Sequence, residues 1–198
     1  ESFRGGSEGR ITATDGLDLL AGEASFSGPR AVSVRLAGGE TRELTSDLIV
    51  INAGARPALP ELPGIDAVPV LTSTTIMELD AVPEHLLILG GGYIGLEFGQ
   101  MFRRFGSRVT IVQRGPRLLA REDADVADAV ADILREDGVE ILLETAARGV
   151  ARAGDGGIAL TVAGPAGART LTGSHLLVAA GRAPNTEALN LAAAGVET

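Results

Sequence analysis

The chain has 198 residues, of which 45% are hydrophobic and 3% aromatic, and it carries a formal net charge of −9. This length allows one or two domains with a core of aliphatic side chains. The acidic balance and the lack of a basic run exclude the nucleic-acid-binding classes. Cysteine and lysine are both absent, which excludes disulfides, thiol nucleophiles and lysine Schiff bases within these residues.

The sequence contains no signal for a membrane or for export. No apolar run approaches the roughly 20 residues of a membrane-spanning helix, and no secretory leader is visible. We therefore expect a cytoplasmic protein without a membrane partner, and the use of arginine in place of lysine indicates a GC-rich, bacterial source. The chain starts at Glu1 with a Gly/Ser-rich segment, which predicts a loose beginning and a piece of a longer protein.

The region from residue 17 to residue 53 is predicted to be β structure. Extended segments at 19–26, 31–36 and 41–44, separated by glycine turns, indicate an antiparallel meander. The nearly continuous apolar run Asp47–Ile51 predicts one further strand, buried on both faces.

A proline-rich connection over residues 56–64 follows the meander. Because proline disfavours both helix interiors and central strands, we interpret this segment as a crossing between two domains. Beyond it, Thr72 or Ser73 is expected to cap a short helix whose Ile76 and Met77 point inward.

The most informative stretch runs from His85 to Arg114. An apolar run predicts a strand, and Gly90, Gly92 and Gly95 follow it in the spacing Gly-x-Gly-x-x-Gly. A helical segment and a second β-branched run come next, which is the order of a dinucleotide-binding βαβ unit. A glycine turn with a purely structural role is the alternative, and the flanking elements favour nucleotide binding.

Each part of this unit has a physical role. Gly90 permits the turn, Gly92 lets the backbone approach a pyrophosphate, and Gly95 allows the helix to pack on the sheet. The helix N-terminus directs unpaired N–H groups towards the phosphates. The helix is expected to be anchored by a set of large apolar side chains: Ile94, Phe98, Met101, Phe102 and Phe105.

The segment after this unit predicts more α/β structure. Residues 123–137 form an amphipathic helix with Val126, Val130, Ile133 and Leu134 on one face. Asp123 and Asp125 suit the start of that helix better than a metal site, and no metal site is predicted. The remaining predicted elements are a third parallel strand at 139–143, an antiparallel excursion through 158–162 and 169–171, and a buried strand at 175–180.

Catalytic side chains are not evident. His85 and His175 each precede a buried-type strand, and we interpret them as ordinary strand-edge residues. No catalytic residue is assigned.

One pattern occurs twice. The segments Leu48–Pro57 and Leu176–Pro184 are both apolar strands that end in Ala-Gly, with arginine and proline soon after. The two copies bracket the dinucleotide-binding region, which predicts that this region is inserted into another domain.

These motifs together carry a family resemblance. The runs GGGYIGLEFG (90–99), REDADVADAV (121–130) and GRAPN (181–185), with the two Ala-Gly strands, resemble the pyridine nucleotide-disulfide oxidoreductases, the flavoenzyme family of mercuric reductase and dihydrolipoamide dehydrogenase. The resemblance implies an α/β fold, with a Rossmann-like parallel sheet, a small antiparallel excursion and a β-rich remnant of an FAD domain. It implies a partial FAD domain at 1–81, an NAD(P)-binding domain at 82–180 and a return into the FAD domain at 181–198.

The resemblance also implies a reaction and several roles. A nicotinamide nucleotide would pass a hydride to FAD and on to a disulfide or metal-type acceptor, in a full-length protein that is a homodimer. The tyrosine matching Tyr93 gates the nicotinamide pocket, and the glutamate matching Glu97 lies near the nicotinamide. Ile94 lies between them at the same helix start, and Gly181 and Arg182 match the loop beside the nucleotide. The fragment alone is expected to bind nucleotide without turnover.

The choice of nucleotide depends on Gln113, which lies 21 residues after Gly92, where a ribose-reading residue is expected. An acidic residue there would repel a 2′-phosphate, and glutamine does not. Arg114 follows at once, and Arg117 or Arg121 could join it, so NADP is favoured over NAD. A solvated arginine cluster is the alternative.

Two other functional classes remain open at this stage. A methyltransferase-type Rossmann domain would want an acidic residue at position 113 and does not account for the repeated Ala-Gly strands. A regulatory module that binds nucleotide without redox chemistry is compatible with the missing cysteines.

Overall fold

The computed structural model describes residues 2–154 and 156–197, with residues 2–4 described by their backbone alone. The chain divides into two compact units. One comprises residues 1–55 and 184–198, and the other comprises residues 56–183. The second unit is therefore inserted in sequence between two segments of the first. The domain boundaries proposed from the sequence, near residues 81 and 181, differ from these division points.

The first unit opens with helix α1 (Ser2–Thr12), so the prediction of a loose opening segment is wrong. Hydroxyl groups stabilise the end of this helix, which composition alone did not indicate. Thr12 Oγ1 donates to the Glu8 carbonyl oxygen at 3.1 Å, and Thr14 Oγ1 donates to that of Arg10 at 2.9 Å. The Arg10 carbonyl belongs to the last turn, whose carbonyl groups a helix leaves without an intrahelical partner.

The predicted meander is confirmed. Strands β1 (Gly22–Gly28), β2 (Ala31–Leu36) and β3 (Thr41–Thr45) form an antiparallel three-stranded sheet in that order. Phe26 and Val34 are its buried side chains. The unit is completed by two 3-10 turns, Glu187–Leu189 and Leu191–Ala194.

The predicted buried strand Asp47–Ile51 is wrong. Residues 46–54 have no regular secondary structure, and Leu48 and Val50 are each 78% exposed. A strand requires a neighbour, and no strand of the described residues pairs with this segment. The Ser46 hydroxyl also donates to the Leu48 carbonyl oxygen and accepts from its N–H, which is a local alternative to a ladder.

The second unit is built on a parallel sheet, as predicted, and this sheet has five strands. The elements from this point on, in chain order, are β4 (Ala55–Pro57), β5 (Val70–Leu71), β6 (His85–Leu89), α2 (Tyr93–Arg104), β7 (Arg108–Val112), α3 (Ala124–Glu136), β8 (Glu140–Leu142), β9 (Ala146–Arg152), β10 (Ile158–Gly164), β11 (Gly167–Gly173), β12 (His175–Val178) and β13 (Arg182–Pro184). The division points of the two units fall within β4 and β13. The order in the sheet is β5-β12-β6-β7-β8, and every pairing is parallel. Strands β9–β11 form the antiparallel excursion, of which β9 was not predicted. Strands β4 and β13 pair with each other.

Two hydrophobic clusters cover the two faces of the parallel sheet. Leu86 and Ile88 belong to the cluster that includes residues of α2 and α3, whereas Leu87 belongs to the cluster that includes β10. Successive side chains of a strand point to opposite faces, so a strand covered on both sides must be apolar at every position. This explains the continuous apolar run at the start of the βαβ unit.

Several predicted helix faces are wrong in detail. Helix α3 buries Ala127, Ala131 and Leu134, while Val126 and Ile133 are about half exposed. Small alanine side chains allow the helix to lie close to the sheet, and a reading weighted towards large apolar residues misses them.

The same holds for two other predicted inward side chains. Phe105 is 59% exposed at the end of α2, where Leu96 and Phe102 supply the buried contacts. Met77 is 69% exposed, whereas Ile76 is buried as predicted within the 3-10 turn Thr75–Glu78. Another 3-10 turn spans Ile65–Ala67.

Candidate functional site

A cleft of about 900 Å³ lies at the carboxyl edge of the parallel sheet, within the second unit. Its lining residues are Pro60–Leu62, Leu89–Ile94, Val112–Gly115, Leu119–Arg121, Thr145–Ala147 and Ala179–Arg182. Strands β7 and β8 continue on one side of β6, and β12 lies on the other. The cleft therefore includes the point where the connections reverse direction, which is where open α/β sheets bind ligands.

The glycine turn, residues Gly90–Gly92, forms the floor of the cleft. Gly90 has φ = +116°, and a Cβ there would lie 2.4 Å from the Ala179 carbonyl oxygen. Gly95 packs α2 on this turn, because a Cβ would lie 2.2 Å from the Gly90 oxygen. At Gly92, in contrast, a Cβ would meet no protein atom within 4 Å. Gly90 and Gly95 thus serve the fold, while Gly92 borders open space.

Helix α2 starts beside that open space. Gly92 is its N-cap and supplies no side-chain cap. The first N–H groups of a helix have no intrahelical partner and carry the positive end of the helix dipole. Residues around Gly92 thus fit a pyrophosphate, since they combine room, unpaired donors and a favourable field.

The opposite wall is formed by the arginine loop, residues 114–121, which follows β7. Arg114 and Arg121 line the cleft, and Arg117 does not. Within residues 2–154 and 156–197, no carboxylate forms a salt bridge with any of the three. This wall therefore presents two guanidinium groups to the cleft without an ion-pair partner among the described residues, which suits an anionic group.

Gln113 joins the glycine turn to the arginine loop. Its Oε1 accepts a hydrogen bond from the Gly91 N–H at 3.1 Å, and its Nε2 donates to the Arg117 carbonyl oxygen at 3.1 Å. The two contacts fix the orientation of the amide, because an N–H requires an acceptor and a carbonyl requires a donor.

Tyr93 stands at the mouth of the cleft. It is 55% exposed, and its hydroxyl donates to a carboxylate oxygen of Glu122, just beyond the arginine loop. The hydrogen bond to Glu122 is the main cause of a raised pKa of Tyr93, with burial adding to it.

The sequence-predicted site residues fall into two groups. Eight of them line the cleft: Gly90, Gly92, Tyr93, Ile94, Gln113, Arg114, Gly181 and Arg182. Gly95 lies beneath the turn, and Glu97 is exposed on α2 outside the lining. Sequence reasoning missed the walls at 60–62 and 145–147. The former was interpreted only as a crossing, and the latter lies at the start of the unpredicted β9.

His85 lies buried at the start of β6, remote from the cleft lining. Its Nε2 is 2.9 Å from Thr110 Oγ1, and Thr110 Oγ1 donates to Glu140 Oε2 at 2.9 Å. Burial is the main cause of a lowered pKa of His85, and the nearby Arg108 guanidinium lowers it further. These contacts indicate that His85 has a structural role in the parallel sheet.

Two further kinds of feature are absent from the part of the chain that the structure describes. It holds no cluster of three or more histidine, aspartate or glutamate side chains that could bind a metal ion. It also contains no helix with the length and hydropathy needed to cross a membrane.

The unit β6–α2–β7 and its cleft thus define a dinucleotide-binding class of α/β fold. Comparison with known families agrees with this class. Residues 3–198 match the model of the pyridine nucleotide-disulphide oxidoreductase family. The chain belongs to this family, which is FAD-dependent and uses pyridine nucleotides.

Named relatives are enzymes of this family. The chain is 42% identical to mercuric reductase of Streptomyces lividans over 188 residues, which are 95% of this chain and 39% of that protein. It is 38% identical to the probable pyridine nucleotide-disulfide oxidoreductase RclA of Escherichia coli, over 91% of this chain and 40% of that protein.

Solved structures give the same result. The structure of the HOCl-induced flavoprotein disulfide reductase RclA from Escherichia coli superposes with a TM-score of 0.81 at 35% sequence identity. The match covers 100% of this chain and 43% of the RclA chain. LpdA from Mycobacterium tuberculosis gives a TM-score of 0.79 at 31% sequence identity, and the match covers 99% of this chain and 44% of the LpdA chain. The chain thus spans about two fifths of the length of these relatives.

Proposed function

We propose that this chain is the nucleotide-binding part of an FAD-dependent NAD(P)H oxidoreductase, and that the cleft at residues 90–94 holds the nicotinamide nucleotide. One observation carries the proposal. Gly92 borders open space in front of an uncapped helix N-terminus, in a cleft at the carboxyl edge of a parallel sheet. No packing requirement of the protein accounts for a glycine at this position.

The proposed contacts follow from the cleft. The pyrophosphate lies on the glycine turn and the first N–H groups of α2, next to Tyr93 and Ile94. Gly181 and Arg182 supply the lip on the β12 side. Gly95 acts from below by holding the helix against the turn, and the role of Glu97 near the nicotinamide rests on the family resemblance alone.

NADP is proposed as the preferred nucleotide. Arg114 and Arg121 present positive charge from the wall that follows β7, and Gln113 stands where an acidic residue would repel a 2′-phosphate. A charge-assisted contact contributes about 1.5–3 kcal/mol, or about 10- to 150-fold in affinity. Arg114→Ala is expected to weaken NADPH binding by at least about tenfold and to leave NADH binding nearly unchanged. Equal loss for both nucleotides would contradict this role.

The remainder of the reaction belongs to the whole protein. There FAD would supply the redox chemistry between the nicotinamide nucleotide and a disulfide or metal-type acceptor. The residues described here bind and orient the nucleotide, and Tyr93 covers the mouth of the cleft.

We propose a homodimer for the full-length protein and a cytoplasmic location. We expect the purified 198-residue chain with added FAD and NADPH to show no turnover, and turnover would contradict this division of roles.

A substitution at Gly92 tests the nucleotide site without disturbing the fold. The backbone of Gly92 has φ = −88°, which any residue adopts, and a Cβ would meet no protein atom. Gly92→Ala is expected to lower the melting temperature only slightly, because alanine is a poorer N-cap than glycine. It is expected to weaken binding of both nucleotides by at least about fivefold, because overpacking costs about 1–3 kcal/mol.

Gly38 provides the matched control. A Cβ there also meets no protein atom, and Gly38 lies in the meander of the first unit. Gly38→Ala is expected to change neither melting temperature nor nucleotide affinity in calorimetric titration. Wild-type affinity in Gly92→Ala would place the nucleotide elsewhere.

A further inference from the structure

The side chain of Gln113 is committed to contacts inside the protein. Its Oε1 accepts from the Gly91 N–H and its Nε2 donates to the Arg117 carbonyl oxygen. It therefore links the glycine turn to the middle of the arginine loop. A glutamate of the same length could accept from Gly91 but has no proton to donate to the Arg117 carbonyl.

The other backbone group of Gly91 makes a second link to the same loop. The Leu119 N–H donates to the Gly91 carbonyl oxygen at 2.9 Å. A Cβ at Gly91 would lie 2.6 Å from Leu118 Cδ2 and 3.2 Å from Gln113 Cβ, so the loop packs directly on the turn. Both backbone groups of Gly91 thus bond to residues that follow β7.

The base of the arginine loop is held independently. The Gln113 N–H donates to the Leu142 carbonyl oxygen at 2.9 Å, and the Thr145 N–H donates to the Gln113 carbonyl oxygen at 3.0 Å. The Glu144 N–H donates to the Gly115 carbonyl oxygen at 2.9 Å. The start of the loop is therefore fixed by β8 and the residues that follow it. Its later part is held by the buried side chains of Leu118 and Leu119 and by its hydrogen bonds to Gln113 and Gly91.

We propose that Gln113 is a positioning residue that clips the arginine loop to the glycine turn, so that the pyrophosphate site and the 2′-phosphate site are set in one geometry. This inference rests on the proposed nucleotide function and deepens it. Glutamine at this position does more than remove a negative charge, since its amide supplies both a donor and an acceptor. Specificity for the 2′-phosphate then comes from Arg114 and Arg121, and Gln113 helps to set the position of the later part of the loop, which leads to Arg121.

Two substitutions distinguish the hydrogen bond to Gly91 from the hydrogen bond to Arg117. Gln113→Leu removes both hydrogen bonds, and Gln113→Glu keeps the acceptor for Gly91 while losing the donor to Arg117. Gln100→Leu is the matched control, because the Gln100 amide donates to Asp137 Oδ2 and lies outside the cleft lining. Thermal unfolding establishes that each variant is folded.

The first readout is amide hydrogen exchange at Gly91 and Leu119, measured by NMR on the unliganded protein. A lost hydrogen bond is expected to accelerate exchange by about threefold to tenfold. Gln113→Leu should accelerate both amides. Gln113→Glu should leave Gly91 at the wild-type rate and accelerate Leu119, a split that general destabilisation would not produce. Gln100→Leu should change neither.

The second readout is calorimetric titration with NADPH and NADH. Gln113→Glu is expected to weaken NADPH by at least about threefold to tenfold and to leave NADH unchanged, because the arginine loop is released and the added carboxylate also repels a 2′-phosphate. The exchange split at Gly91 and Leu119, which does not depend on that repulsion, separates the two causes. Gln113→Leu is expected to weaken both, since the turn is released as well.

Two results would overturn the clip. Unchanged exchange at both amides in Gln113→Leu would mean that the amide holds neither element. Tighter NADH binding by Gln113→Glu would mean that position 113 contacts the ribose directly. If the wild-type chain binds neither nucleotide, the proposed function fails, while the exchange measurements still decide on the clip. If Gln113→Leu does not fold, the exchange split and titration of Gln113→Glu decide alone.

Discussion

The two repeated segments, Leu48–Pro57 and Leu176–Pro184, share a sequence pattern and differ in structure. Leu176–Val178 lies in strand β12, paired on both sides by β5 and β6, with its side chains buried. Leu48–Ile51 has no strand structure, and its leucine and valine are largely exposed. The difference shows that an apolar run becomes a strand when neighbours supply its ladder, and that composition alone does not decide the outcome.

The largest expected effect compares one leucine from each segment. Leu176 is fully buried, so Leu176→Ala is expected to lower the free energy of unfolding by about 2–5 kcal/mol. Leu48 is exposed, and Leu48→Ala should change that free energy by less than about 0.5 kcal/mol. Urea denaturation of the two variants measures both. A loss of similar size at Leu48 would contradict the exposed, irregular structure of its segment.

The arginines of the two segments extend the comparison from folding to binding. Arg182 lines the cleft and Arg56 does not. Arg182→Ala is expected to weaken binding of NADPH and NADH by about tenfold or more, since a charge-assisted contact is lost. Arg56→Ala serves as the control and should bind both nucleotides as the wild type does. If the two variants lost nucleotide affinity equally in calorimetric titration, the position of Arg182 in the cleft would not explain its effect.

The smallest expected effect is a pH dependence of stability that comes from His85 in the parallel sheet. Burial and Arg108 lower the pKa of His85 in the folded protein. As the pH falls below about 6.5, the unfolded chain binds the proton first, so stability falls until the folded pKa is passed. Relative to His85→Gln, the wild type should lose stability between about pH 7.5 and pH 5.5 in urea denaturation. Parallel curves for the two proteins would refute this role of burial.

Much of the second unit was predictable from sequence because its signals are local. The apolar run at 86–89, the glycine turn and the second strand fix the βαβ unit, and the structure places eight predicted site residues along one cleft. The buried face of α3 was harder to predict from the sequence. Alanines occur on both buried and exposed helix faces, so their pattern does not show which face packs on the sheet.

Other features depended on partners distant in sequence. The exposure of Leu48–Ile51 follows from which strands are present, and the wall at 145–147 follows from the pairing of β9 with β10. The internal hydrogen bonds of Gln113 depend on the path of the loop after β7. Spacing placed this residue at the ribose end of the site and gave no indication that its amide would bond within the protein.

The central claim is that the cleft binds a nicotinamide nucleotide and that its arginine wall favours NADP. Calorimetric titration of the purified chain with NADPH and NADH, side by side, tests it most directly. We expect both to bind, with NADPH at least about tenfold tighter, the low end of a charge-assisted contact. Binding of equal strength would contradict the preference for NADP, and no binding of either nucleotide would contradict the site itself.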